Sequence, residues 1–118
     1  VSQCHGASRA AGWWTQEDLD AIRDRTRFGM ALVGQKLALV HSEVSEALEG
    51  ERKDKMDDHL PHRKSSEVEL ADAVIRICDL AGALGFDLGA AIYEKMAYNA
   101  KREDHKREIR AQQGGKAF

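Results

Sequence analysis

Apolar positions recur at steps of three and four along most of this chain, and β-branched runs that alternate every second residue are absent. That pattern predicts helices and no sheet. A first helix is expected from about Ser2 to Ala11, ended near Gly12. Thr15 can cap a short second piece, with Gln16, Glu17 and Asp18 in its first turn and Leu19 and Ile22 on its apolar side. Residues 23–29 read as a helix end and a bend. The next helix is expected from about Ala31 to Arg52, because Val33, Leu37, Val40, Val44, Ala47 and Leu48 form one stripe. A polar loop follows over residues 53–66 and holds the chain's single proline, Pro61. Ser65 or Ser66 is expected to cap a helix from about Glu67 to Leu84. Gly85 is its stop signal, and Asp87 caps a last helix from about Leu88 to Arg102. The tail beyond, with Gln112, Gln113, Gly114 and Gly115, is expected to fray.

The helix over 67–84 is unusual. Apolar residues occupy most of its circumference, and only Glu69, Asp72, Arg76 and Asp79 form a charged row. A helix apolar nearly all round is expected to be buried. Its charged row should then face a polar cleft or paired charges. One small chain lacks the mass to cover so much apolar surface, so a homodimer is expected.

The length of 118 residues fits one domain, read as an N-terminal helical segment over 1–30, a motif-bearing bundle over 31–105 and a tail over 106–118. Charged residues make up 32% of the chain with both signs mixed, and the formal charge is −2. This balance lacks the basic surface that sequence-independent nucleic-acid binding needs. Apolar runs are too short to span a bilayer. The opening residues lack the apolar core of a signal peptide, and Cys4 and Cys78 do not make a disulfide framework. A reducing, cytoplasmic setting with no membrane or nucleic-acid partner is therefore the expectation.

Candidate chemistry rests on two acidic pairs, Glu43-Val-Ser-Glu46 and Glu69-Leu-Ala-Asp72. A three-residue step puts both carboxylates of a pair on one helix face. In a chain with 20 acidic residues such a spacing arises by chance, as in Glu46-Ala-Leu-Glu49. It is most often a solvated face. Two features separate these pairs from chance. Glu43 borders the apolar stripe, and Glu69 and Asp72 belong to the only charged row of an otherwise apolar helix. Four carboxylates gathered there would need a cation, and hard oxygen ligands select Mg²⁺, Mn²⁺ or Ca²⁺. A di-iron bundle would need Glu-x-x-His pairs, and the chain has none. Lys95, Asn99 and Arg102 share one side of the last helix, either as a solvated basic face or as an anchor for polyphosphate. Trp13 and Trp14 fit a core or interface role, or stacking on a base.

Together, His41-Ser-Glu43-Val-Ser-Glu46-Ala-Leu-Glu49, Glu69-Leu-Ala-Asp72-Ala-Val-Ile-Arg76-Ile-Cys-Asp79, Gly85-Phe-Asp87 and Lys95-Met-Ala-Tyr-Asn99-Ala-Lys-Arg102 resemble the MazG-like family of all-α nucleoside triphosphate pyrophosphohydrolases. The resemblance covers about residues 31–105. It implies a four- to five-helix bundle completed by dimerisation, in some relatives by tetramerisation. It also implies Mg²⁺-dependent cleavage of a nucleoside triphosphate between the α and β phosphates, with Mn²⁺ as a possible substitute. By resemblance, Glu43, Glu46, Glu69 and Asp72 are the metal ligands, and Lys95 and Asn99 hold phosphates with help from Arg102. His5 and Trp14 match a His and a Trp, nine apart, that hold the base in some relatives. Many members read Glu-Glu-x-x-Glu, whereas this chain has Ser42 at the leading position. That departure leaves one or two metals open.

In the expected mechanism a water attacks phosphorus and either Glu43 or Glu46 takes its proton. Two alternatives stand beside it. One is a non-catalytic helical interaction module, which the missing carboxylate at Ser42 favours. The other is a pyrophosphohydrolase acting on a phosphoribosyl nucleotide.

Overall fold

The computed structural model describes residues 1–102, 106–112 and 114. Six helices occur among them: α1 (Ser2–Ala10), α2 (Gln16–Arg23), α3 (Arg27–Arg52), α4 (Ser65–Ala83), α5 (Leu88–Lys101) and the short α6 (Arg107–Arg110). No strand occurs among the described residues, so the chain is all-α. It divides into two compact units, Val1–Phe86 and Asp87–Phe118. His105, at the end of the expected motif-bearing region, lies outside the described residues, as do Gln113 and Gly115 of the expected tail.

The helix ends show why these segments start and stop. Thr15 accepts a hydrogen bond from Asp18 N while Asp18 caps Thr15 N in return, a closed capping box. Thr26 caps α3 by accepting from Gly29 N, so α3 begins four residues before the expected Ala31. Neither Ser65 nor Ser66 caps α4. The N-cap is Lys64, without a side-chain hydrogen bond, and the helix starts at Ser65 itself. Asp87 caps α5 through Ala90 N, as expected. After α4, Gly85 takes φ 68° and Phe86 N donates back to Ala81 O. This left-handed stop suits glycine. The same pattern closes α2 and α3 with Arg25 (φ 53°) and Asp54 (φ 47°), where a Cβ must be accommodated.

In the first unit α4 packs on both α3 and α1, and α2 packs on α3. Gly50 sits beside Ser65 and Glu43 beside Arg76, so α3 and α4 run antiparallel. The core is Trp14, Ile22 and Leu80, with Leu19, Leu32, Val33, Ala83 and Leu84 packed round it. Gly82 lets α1 approach α4, because a Cβ there would lie 2.5 Å from His5 Cβ. The loop over 53–64 is tied down. Asp57 is buried and accepts from His59 N (2.9 Å) and Leu60 N (2.6 Å), and Ser65 N donates to Lys55 O.

Two expectations about faces are corrected. The α3 stripe is split: Ala47 is buried, but Leu37, Val44 and Leu48 are exposed, and Glu43 and Gly50 take the inward places. On α4, Leu70, Val74, Ile75 and Ile77 are exposed in the chain, whereas Asp79 is buried and Glu69 and Asp72 are half-buried. Acidic members of the charged row thus face the neighbouring helices, and much of the apolar surface points outward. Periodicity marks an apolar face but does not say what covers it.

Leu80→Ala should cost about 2–5 kcal/mol of unfolding free energy, because a large side chain leaves a small buried core. Denaturant titration followed by helical circular dichroism measures this.

Candidate metal centre and its flanking cavities

α3 and α4 position the acids. With Glu43 on the inward side of α3 and Glu69 and Asp72 on the inward side of α4, one carboxylate oxygen from each lies within 4.8 Å of the others. Glu43 is only 7% exposed. Arg76, one turn beyond Asp72, donates through Nε to Glu43 Oε1 and offsets part of the charge. Three of the four carboxylates expected as ligands therefore gather. Glu46 is exposed and stands outside the trio, with Oε1 accepting from Ser42 Oγ at 3.1 Å. Its charge still reaches the site. Partial burial first, then the Glu46 charge, then the hydrogen bond and charge of Glu43 and the charge of Asp72, raise the Glu69 carboxyl above its ordinary range.

Three hard oxygen donors at this spacing, two from one helix and one from its neighbour, fit a small divalent cation. The like charges that help raise the Glu69 carboxyl are also what a bound cation would relieve.

Two cavities flank the trio. The larger, about 500 Å³, is lined by Trp13, Gln35, Lys36, Asp72, Ile75 and Arg76 among others. Its size falls in the range of roughly 300–1,000 Å³ for small-molecule sites. The smaller, about 190 Å³, lies by Glu46, Glu69, Ser65, Lys53 and Lys55.

On the wall of the larger cavity, Asp79 is held by two partners. Trp14 Nε1 donates to Oδ1 (2.8 Å) and Oδ2 (3.0 Å), and His5 Nδ1 donates to Oδ1 (2.9 Å). An ionised carboxylate can only accept, so His5 Nδ1 is the donor in this contact. The His5 and Trp14 rings meet edge to face at 5.9 Å, and Lys36 Nζ lies 4.3 Å from the centre of the Trp14 ring. His5 and Trp14 are thus brought together, with Trp14 only 5% exposed and its indole N–H committed to Asp79. Trp13, 71% exposed, is the tryptophan that lines the cavity.

Lys95, Asn99 and Arg102 belong to the second unit. Lys95 and Arg102 both lie over the Tyr98 ring, at 4.7 and 5.7 Å. Asn99 Oδ1 is buried without a hydrogen-bond partner among the described residues.

Reading the sequence did not single out Lys36, Gln35 or Lys55 as site residues. Lys36 could have been found, since it lies seven residues before Glu43, two turns along the same face of α3. Lys55 carried no local signal, because its position depends on how the 53–64 loop folds back. No family model, no curated protein and no solved structure matches the chain.

The raised Glu69 carboxyl makes a pH prediction. The folded chain holds that proton more tightly than the unfolded chain, so its contribution to stability is present at low pH and lost as pH rises through the raised value. Without metal, Glu69→Gln should therefore melt at or above the parental temperature at neutral pH. That advantage should shrink as pH falls through the carboxylate range. Adding Mg²⁺ at neutral pH should reverse the order, since a ligand bound only by the folded parent stabilises it. Differential scanning calorimetry across pH, with and without Mg²⁺, checks both signs.

Proposed function

We propose that the chain is a MazG-like, Mg²⁺-dependent nucleoside triphosphate pyrophosphohydrolase that releases a nucleoside monophosphate and pyrophosphate. The observation that carries this reading is the Glu43–Glu69–Asp72 trio set against a cavity with Lys36 and Arg76 on its wall. Acids and cations side by side suit a ligand that is an anion carrying its own metal. The resemblance of the motifs points the same way.

In this reading Glu43, Glu69 and Asp72 hold the Mg²⁺, which when bound offsets phosphate charge and lowers the pKa of water. Either Glu43 or Glu46, one turn apart on α3, takes the proton of the attacking water. The oxygen of that water bonds to the α phosphorus, the bond from it to the bridging oxygen breaks, and pyrophosphate leaves with the electron pair. Arg76 and Lys36 offset the charge that spreads over the phosphate oxygens. Lys95, Asn99 and Arg102 are assigned to the polyphosphate by resemblance.

A homodimer belongs to the same proposal. The antiparallel register sets Leu48 level with Leu70 and Val44 level with Val74, and helical geometry turns these exposed residues to the side of the helix pair away from the acids. α5 has no buried residue, and a 14-residue helix is marginal in water by itself. A second copy covering such surfaces supplies the missing burial. Val74→Asp should convert the protein to a monomer by light scattering at micromolar concentration.

The scaffold reading, which Ser42 favours, gains a second observation: Arg76 already pairs with Glu43. Pyrophosphate release from a panel of ribo- and deoxyribonucleoside triphosphates, with and without Mg²⁺, separates the two. Glu69→Gln and Asp72→Asn should each lower kcat by at least about 100-fold, since metal charge stabilisation is worth several kcal/mol. Parental turnover in both variants would remove the metal assignment. Absence of turnover and of Mg²⁺-nucleotide binding would favour the scaffold.

A further inference from the structure

The geometry points to a fixed direction for the substrate: the nucleoside lies in the Trp13 cavity, and the departing pyrophosphate is received in the smaller cavity by Lys53 and Lys55. This inference rests on the pyrophosphohydrolase reading and adds two leaving-group residues and a base platform to it.

The two cavities sit on either side of the acidic cluster but differ in chemistry. The larger one has an exposed indole, the Gln35 amide, and apolar walls from Leu32, Leu39 and Ile75. An indole face stacks on a flat heterocycle, and an amide can both donate to and accept from a base edge. The smaller one has no aromatic or large apolar wall. Its lining is Glu46, Glu49, Glu69, Gly50, Ser65 and the two lysines. A base gains nothing there, whereas a small anion gains two ammonium groups. At about 190 Å³ it has room for a small group only.

The lysines are close to the chemistry and available. Glu69 is one of the charges that raise the Lys55 pKa, after the hydrogen bond and charge of Asp58 and the charge of Asp57. Lys55 Nζ is paired with Asp58 at 3.0 Å and Lys53 Nζ with Glu49 at 2.7 Å, both half-exposed or more. Exposed pairs of this kind contribute little, so a multiply charged phosphate displaces them readily. The ordered loop explains why Lys55 is at this spot. Ser65 N donates to Lys55 O, and Lys55 N donates to Gly50 O, which fastens the residue between the end of α3 and the start of α4. The carboxylates in the same cavity would repel a bare anion, so pyrophosphate enters it only with Mg²⁺.

Calorimetric titration of the full chain with Mg²⁺-pyrophosphate and, separately, with each common nucleoside monophosphate tests this. Lys55→Ala should weaken pyrophosphate binding about tenfold, the scale of one charge-assisted hydrogen bond, and leave monophosphate binding unchanged. Lys53→Ala should act in the same sense, and Lys55→Arg should restore most of the loss. Trp13→Ala should do the reverse, weakening the monophosphate and sparing pyrophosphate. Equal losses for both products in Lys55→Ala, or no loss of pyrophosphate in either lysine variant, would overturn the assignment even in an active enzyme. A parent that hydrolyses no triphosphate would instead overturn the pyrophosphohydrolase reading. A parent that binds neither product with Mg²⁺ would overturn both.

Discussion

The charged row of α4 has to be satisfied inside the protein, and most of the first unit is arranged to do that. Asp79 is buried and takes the indole N–H of Trp14 and the imidazole N–H of His5. A buried carboxylate without such donors would cost several kcal/mol. Gly82 has no side chain because His5 must lie against it to reach Asp79. The same demand explains Trp14, which anchors the core with Ile22 and Leu80 while its nitrogen serves the charge. One turn back, Arg76 answers Glu43. Further back still, neither Glu69 nor Asp72 has a salt-bridge partner among the described residues, and burial together with the repulsion among the acids raises the Glu69 carboxyl. The row thus grades from satisfied charge at Asp79 to unsatisfied charge at Glu69, and the unsatisfied end is where function is proposed.

Much of this was readable in the residues. Gly12 and Gly85 end their helices because glycine takes positive φ easily, and a stop signal of that kind is local. Thr15 and Asp87 cap as their residue types suggest. Arg25 and Asp54 make the same left-handed stops without glycine, so nothing in their identity announced them. Thr26 was an available cap signal, masked by the bend read over 23–29. The faces were harder. Leu37, Val44 and Leu48 read as core and are exposed, since periodicity is blind to whether the cover comes from the same chain. Glu43 and Glu69 were legible as acids beside apolar rows, and the trio they form with Asp72 follows from the antiparallel register of α3 and α4. Glu46 shares the spacing but not the gathering, because its carboxylate turns to Ser42. Trp13, Lys36 and Lys55 owe their places to tertiary structure.

Charge and apolarity are separated on the α3–α4 pair: acids and cavities on one side, Leu48, Leu70, Val44 and Val74 on the other. Such a division keeps the acids apart from the exposed apolar residues on one pair of helices. The two sides are still coupled, since anything that repacks α3 against α4 changes the spacing of Glu43 from Glu69 and Asp72.

The most direct test of the central claim is anomalous diffraction from crystals of the protein grown with Mn²⁺. The account predicts one strong peak in bonding contact with an oxygen of Glu43, of Glu69 and of Asp72. Peaks only at lattice contacts, or none between α3 and α4, would contradict it.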